Sequence, residues 1–455
     1  MPVNSFDDHP LSWQPAREAL GPGPVYLALA AALEADIGRG VLPPGLRLPP
    51  QRELADFLDI DFTTVTRAYA VCREHGLIYG VTGRGTFVSP HEGDGDSSAG
   101  VIDCGVVQGF PGTGTGEVVA AARSVMMRES AASLFSYGRR DGAARQRAAG
   151  AHWLARNGVH VPAERLAVFP GSQGAISSAL LSLFSVGDAL AVDAFTYANL
   201  ISLAKLAHIA LVPVESDARG MRPDALAEAA SNPRVKGVFL MPHCANPTGI
   251  SLSERRKDEL ADAIESRNLM LLEDCARLAP PARGERPLFA RIPERTVYIS
   301  GLARSIAPGL RVTFMAFPEK STERLLSALH HLAIKASALE AEILSEAILT
   351  GRAERILREK AKKAREANVL FNRVFPKAPR SSPTALFRAL PLPGTAGRGP
   401  EIERACLAAG VRVCHSDRFS VRVGNPLSFL RISISSAPDM ASLHRALVTI
   451  RKTVF

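Results

Sequence analysis

Residues 46–88 read LRLPPQRELADFLDIDFTTVTRAYAVCREHGLIYGVTGRGTFV. In QRELADFLDI, Leu54, Phe57 and Leu58 recur at helical spacing, so a short helix with one inward face starts after the Pro49-Pro50 stop. A turn over Asp59–Phe62 leads to a further helix, TTVTRAYAVCREHG, where Val65, Ala68, Tyr69 and Cys72 share a face and Gly76 ends the run. LIYGVTGRGTFV then reads as two short strands around a Gly-Arg-Gly turn. Upstream, from about Pro24, Val25, Leu29, Leu33 and Ile37 repeat every four residues and predict a first helix, closed by GVLPPGLRLPP. Helix, helix, turn, helix and hairpin is the order of a winged helix-turn-helix.

Working outward, residues 89–100, SPHEGDGDSSAG, have linker composition. From Val101 the chain alternates short apolar runs with amphipathic helical stretches: RLAVFPGS, ALAVDAF, VKGVFLMP, LMLLEDCA and TVYISG. Such alternation predicts a mainly parallel sheet covered on both faces. ALFRALPLP, VRVCHSD and FLRISIS read as strands of a smaller α+β lobe at the carboxyl end. The domains expected are therefore 1–88, a linker at 89–100, and 101–455.

Composition excludes several classes. At 455 residues, 46% apolar and 22% charged, the chain is ordinary globular protein of two or three domains. The longest apolar stretches, near Ala175–Val186 and Leu203–Val214, fall short of the ~18 residues of a membrane span. The acidic, polar start MPVNSFDDHP does not read as a secretory leader, and six scattered cysteines without a CxxC pair suit a reducing cytoplasm better than a disulfide framework or zinc site. No metal is expected. The formal charge of +9 is unevenly held: residues 1–90 carry seven arginines and no lysine against ten acids, a net −3, leaving +12 for the rest. Much of that excess lies in Arg352–Arg373, whose plainest reading is a solvated helix face. Net charge does not locate a DNA-binding surface; local pattern does.

A helix fits the major groove, and short polar or basic side chains at its start reach base edges and phosphates. Thr63, Thr64, Thr66 and Arg67 occupy that place; Arg52 is set to grip a phosphate and Arg84, at the wing tip, to enter the minor groove. The elements LPxxRxLA, TTVxRAY and GLI…GRGTFV resemble, in order and spacing, the reader domain of GntR-type bacterial regulators. Phe62 departs from that pattern, which often has arginine there. The partner implied is double-stranded DNA.

The remaining residues are similar to fold-type I aminotransferases, which use pyridoxal 5'-phosphate, and the two halves together resemble the MocR-type subfamily. Gly171-Ser172-Gln173-Gly174 precedes a helix, so free backbone N–H groups there suit a phosphate. The resemblance implies that Tyr197 stacks on the pyridine ring, Asn246 bonds its hydroxyl, Asp274 keeps its nitrogen protonated, and Arg311 holds the phosphate. It further implies that Arg431 takes a substrate carboxylate, and that Tyr137 reaches the phosphate across a dimer interface.

The pattern breaks seven positions before Arg311. There the family has the lysine that forms the Schiff base; here YISGLARSIAPGLR has Arg304. A Schiff base needs a neutral primary amine, whereas a guanidinium stays charged, with a pKa above ~12. Nor does it serve as a proton shuttle near pH 7. Ala276 stands where the family has tyrosine, and Gly301 and Ala303 replace polar neighbours of the lysine. Arg304 is left as a fixed cation able to take a ligand carboxylate or phosphate, or to pair with Asp274. The expectation is a cytoplasmic, homodimeric DNA-binding regulator. Its aminotransferase-like body senses a small effector, which an amino-acid-like molecule would fit, and holds pyridoxal phosphate or a related B6 adduct, if it binds one at all, without a covalent bond; an empty, decayed pocket kept as a dimerisation body is the alternative. The competing reading is a working aminotransferase with an accessory DNA-binding module.

Overall fold

The computed structural model describes residues 11–16, 23–43, 45–81, 84–89, 101–422 and 424–455. The chain divides into two compact units, residues 1–99 and 100–455. Of the expected linker, residues 90–100 lie outside the described residues.

The first unit contains α1 (Val25–Gly38), α2 (Gln51–Leu58), α3 (Phe62–Glu74), β1 (Ile78–Val81) and β2 (Gly85–Val88). Its core joins Leu29 and Leu33 of α1, Leu54 and Leu58 of α2, and Val65, Ala68, Tyr69 and Cys72 of α3 to Ile78 and Val88 of the hairpin. Burying each large apolar side chain contributes roughly 1.5–3 kcal/mol, enough to fix three short helices that are marginal alone. Asp59, in the left-handed region at φ 52°, ends α2, and two residues on Asp61 caps α3 by accepting from the Thr63 N–H at 2.7 Å. The Tyr69 hydroxyl donates to the Pro49 carbonyl at 3.0 Å, tying α3 to the rigid Pro-Pro stop. β1 and β2 pair antiparallel, Tyr79 opposite Phe87 with the rings stacked 5.7 Å apart.

The second unit is built on a seven-stranded sheet. Its order is Leu166–Phe169, Thr313–Ala316, Thr296–Gly301, Met270–Cys275, Val235–Leu240, Ala189–Asp193 and Ala210–Val214. Thr313–Ala316 runs antiparallel to both neighbours, and the other pairs are parallel. Both faces are buried, as the near-continuous apolar strands require: Leu166 and Val168 enter one core, Ala167 and Phe169 the other. A smaller antiparallel sheet of Phe387–Pro391, Phe429–Ser433 and Cys414–His415 forms the carboxyl-terminal lobe. VRVCHSD, read as one strand, is two. Val411–Arg412 pairs in parallel with Ile102–Asp103, and Cys414–His415 with Phe429–Ser433. The segment changes partner because Ile102 and Cys104 donate to the carbonyls of Gly410 and Arg412, drawing that stretch away from the lobe's own sheet.

Among the described residues no helix is long and apolar enough to cross a membrane, and no group of three His, Cys, Asp or Glu is placed to hold a metal ion. All six cysteines are unpaired thiols.

Candidate functional site

In the first unit, the expected DNA-facing residues fall at the start of α2, the first turns of α3 and the wing. Arg52, Thr63, Thr66, Arg67 and Arg84 are exposed, and Thr64 is half-buried. Not all have free donors. The Thr63 hydroxyl donates to Asp61, and that of Thr66 is shared between Gln51 Oε1 at 2.9 Å and the Phe62 carbonyl at 3.0 Å. Among the described residues Arg67 has no hydrogen bond or ion pair, so its five N–H groups are available. Phe62, the departure from the reader pattern, lies under the Arg52 guanidinium, 5.7 Å from ring centre to cation. A cation the reading missed is Arg47, which bridges to Phe87; its Nε lies 2.9 Å from where a Cβ on Gly85 would stand. Only glycine, at φ 117°, lets that guanidinium lie along the wing. Nothing local in LRLPP signals it, because the contact spans 38 positions of chain.

In the second unit, strand ends and loops of the large sheet meet the small lobe around a cleft of about 520 Å³. Ser172, Gln173, Tyr197, Asn246, Arg304, Arg311 and Arg431 all line it. Asp274 lines a smaller adjoining cavity of about 40 Å³, with Ala276 and Cys244, and Asn246 and Arg304 belong to the walls of both. Tyr137 is elsewhere, 86% exposed beside a separate hollow that also holds Lys335.

Each position follows from local structure. The helix Gly171–Leu183 begins after Pro170 with no side-chain cap and no acid in its first turn, so its first N–H groups face the cleft unneutralised. Gly171 sits at φ 72°, and a Cβ there would stand 2.8 Å from an Arg311 Nη, so the cation lies directly over the helix start. Tyr197 precedes the helix Ala198–Leu206 and accepts from Asn199 Nδ2 at 3.1 Å. Asn246, 2% exposed, accepts from Arg431 Nη1 at 3.4 Å. Arg431, 7% exposed, also donates to the Gly105 carbonyl and lies over the Phe419 ring at 5.0 Å, and its Nε is buried without a partner.

Asp274 is the next-to-last residue of the strand Met270–Cys275, and neither a hydrogen bond nor an ion pair holds its carboxylate among the described residues. Burial pushes that carboxyl up to about 6, against the lowering effect of the Arg304 cation. Arg304 and Asp274 feel each other across the cavity wall without forming the ion pair that was one expectation for Arg304. The Arg304 side chain has no hydrogen bond or ion pair at all among the described residues. Its backbone is held instead. A Cβ on Gly109 would stand 2.1 Å from the Arg304 carbonyl oxygen, and Lys360 Nζ donates to the carbonyls of Arg304 and Ile306 at 3.3 and 2.8 Å. Lys360, 1% exposed with its pKa lowered by burial to about 8, is the second residue that sequence reasoning missed. Its helix reads as a basic run, and only the fold turns this one amine inward.

The donor set can be tested against a phosphopyridine. An uncapped helix start under a free guanidinium suits a phosphate. A half-buried carboxylate without a partner among the described residues suits a protonated ring nitrogen, and Tyr197 and Asn246 offer a stacking face and an amide. These groups fit. An amine to bond an aldehyde does not occur at position 304, and Lys360 spends its donors on backbone carbonyls.

Comparison with known proteins agrees with both units. The pattern of the aminotransferase class I and II family matches residues 108–450, and that of the bacterial regulatory proteins of the gntR family matches residues 25–88. YdeF of Bacillus subtilis (strain 168), an uncharacterized HTH-type transcriptional regulator, is 32% identical over 460 residues, covering 99% of each chain. PtsJ of Salmonella typhimurium, a vitamin B6 salvage pathway transcriptional repressor, is 26% identical over 292 residues, 61% of this chain and 64% of that one. Among solved structures, an archaeal alanine:glyoxylate aminotransferase superposes with a TM-score of 0.71 at 20% identity, over 78% of this chain and 90% of that one. LysN, the alpha-aminoadipate aminotransferase from Thermus thermophilus, complexed with N-(5'-phosphopyridoxyl)-L-leucine, gives 0.69 at 22% identity, over 78% and 92%. Both likenesses concern the fold.

Proposed function

Because this chain belongs to the gntR-family HTH-type transcriptional regulators that carry an aminotransferase class I and II domain, the MocR-type architecture, we propose that its body is a sensor rather than a transaminase. The observation that carries this reading is Arg304, a permanent cation where the resemblance puts the amine, set in a cleft that Ser172, Gln173, Tyr197, Asn246 and Arg311 also line. When bound, pyridoxal phosphate would supply an electron-withdrawing ring and an aldehyde. This chain's own groups would hold it without a covalent bond. The helix start at Ser172 and Gln173, with Arg311, would take the phosphate, Tyr197 the ring face, Asn246 the ring hydroxyl and Asp274 the ring nitrogen. Arg431 and Arg304 would take carboxylates of the ligand. No group at position 304 loses and regains a proton near pH 7, so proton transfer at that position is missing. PtsJ, named as a repressor of vitamin B6 salvage, supports a B6-type ligand.

Two bodies would pair isologously and set the spacing of two winged units on DNA. The exposed apolar side chains of Met127, Phe135 and Tyr137 support such pairing. Ligand control then requires that the ligand bind two arrangements of the body with different affinity, not merely tightly.

Retention of the chain's own upstream DNA in a salt-graded gel-shift series tests the reading. Sequence-selective retention that weakens steeply with salt is expected, because phosphate contacts dominate affinity. Equal retention of any sequence, or amino-group transfer by the purified chain with added pyridoxal phosphate, overturns it.

A further inference from the structure

Among the described residues the cleft walls carry four guanidiniums, those of Arg304, Arg311, Arg418 and Arg431, and no carboxylate. Arg418 is already neutralised: its Nε donates to Glu403 Oε1 at 2.6 Å and Oε2 at 2.9 Å. Among the described residues three of these cations, Arg304, Arg311 and Arg431, have no carboxylate hydrogen-bonded to the side chain. If Arg311 meets a phosphate and Arg431 one carboxylate, Arg304 remains. A guanidinium is a planar fork of donors, matched best by a carboxylate taken bidentately. Arg304 is also the one of these four residues that lines both the phosphate-side cleft and the Asp274 cavity. The resemblance puts position 304 where the family's lysine meets the aldehyde carbon, so the group Arg304 meets is the one that this carbon carries. An aldehyde offers that position no charge, and a protonated amine offers it the wrong sign.

Resting on the non-covalent reading above, we infer that the ligand is a phosphorylated pyridine bearing a carboxylate that pairs with Arg304, selected over the aldehyde and amine forms. Two chemical sources supply such a group: the ring acid formed by oxidation of the aldehyde carbon, and a dicarboxylic amino acid joined to the pyridoxyl phosphate. The shared chemistry is the carboxylate, and the choice between sources belongs to the experiment.

Calorimetric titration of the full chain tests this with two matched pairs of probes. The first pair is 4-pyridoxic acid 5'-phosphate against pyridoxamine 5'-phosphate. The second is N-(5'-phosphopyridoxyl)-L-glutamate against its L-alanine counterpart. In at least one pair the extra carboxylate is expected to tighten binding about tenfold or more, the size of a charge-assisted hydrogen-bonded pair. Arg304→Gln is expected to bring that ratio close to one, since the neutral amide keeps the reach of the side chain without the charge of the fork. The pair that shows the effect names the source. Arg304→Lys, which keeps the charge but not the fork, should retain part of the ratio, giving a second reading should the Gln variant fold poorly. A ratio near one in both pairs, or one unchanged in both variants, overturns the inference while Arg311-dependent binding of pyridoxamine 5'-phosphate leaves the sensor reading standing. Failure of every phosphopyridine to bind removes the non-covalent reading and this inference together.

Discussion

Each unit departs from its pattern at a position where a basic group is expected, and the two neighbourhoods receive the change differently. In the winged unit, Phe62 replaces an expected cation and is taken up at once, its ring lying under Arg52. In the body, Arg304 replaces an expected amine and is taken up by nothing, for its guanidinium has no partner among the described residues while its backbone is held from two sides. A change that the surroundings absorb is a repair of local packing. A change that leaves a free charge on a cleft wall alters what the cleft selects.

The largest test of this contrast is Arg304→Lys. Because the groups around the position are in place, added pyridoxal phosphate should give a yellow protein whose cofactor, after borohydride, stays on the peptide containing position 304. The wild-type chain should give none. A colourless, folded variant would mean that the cleft has drifted further than its lining suggests. Next in size is Arg311→Ala. Removing a charge-assisted phosphate contact costs about 1.5–3 kcal/mol, so calorimetry should show pyridoxamine 5'-phosphate binding roughly ten- to a hundredfold more weakly. Unchanged affinity would place the phosphate elsewhere.

Asp274 gives a pH test with a definite sign. Its carboxyl is raised to about 6 by burial, and it must be ionised to hold a protonated ring nitrogen, so affinity should persist above that value and fall as pH drops through it. Arg304 lowers this pKa, so Arg304→Gln should move the midpoint upward, and Asp274→Asn should flatten the profile. A midpoint that moves down in Arg304→Gln would mean that the cation does not act on this carboxyl. The smallest effects belong to the winged unit. Arg67→Ala should weaken operator retention roughly tenfold without changing thermal stability. Phe62→Ala, which removes only the support under Arg52, should cost about two- to fivefold. If Phe62→Ala equals Arg67→Ala, the aromatic does more than carry its neighbour.

What the sequence disclosed depends on the range of the interaction. The buried face of α3, Val65, Ala68, Tyr69 and Cys72, is written in a period of three and four residues and is observed unchanged. The strands of the large sheet are written in short apolar runs. Ser172, Tyr197, Asn246, Arg304, Arg311 and Arg431, picked out by motif resemblance, share one cleft wall, with Asp274 in the adjoining cavity. What stayed hidden lies between distant segments without a local period. The Lys360 amine meets the Arg304 carbonyl across 56 positions, Arg47 lies along Gly85, and Ile102–Asp103 captures Val411–Arg412. The split of VRVCHSD could not be read for the same reason: an apolar run says that a segment is extended, not which neighbour it joins.

The grip on position 304 is on its main chain, through the missing side chain of Gly109 and the donated protons of Lys360, and leaves the side chain itself unsecured. The socket is thus indifferent to its plug. Exchanging one long basic side chain for another at this point leaves the main-chain grip untouched.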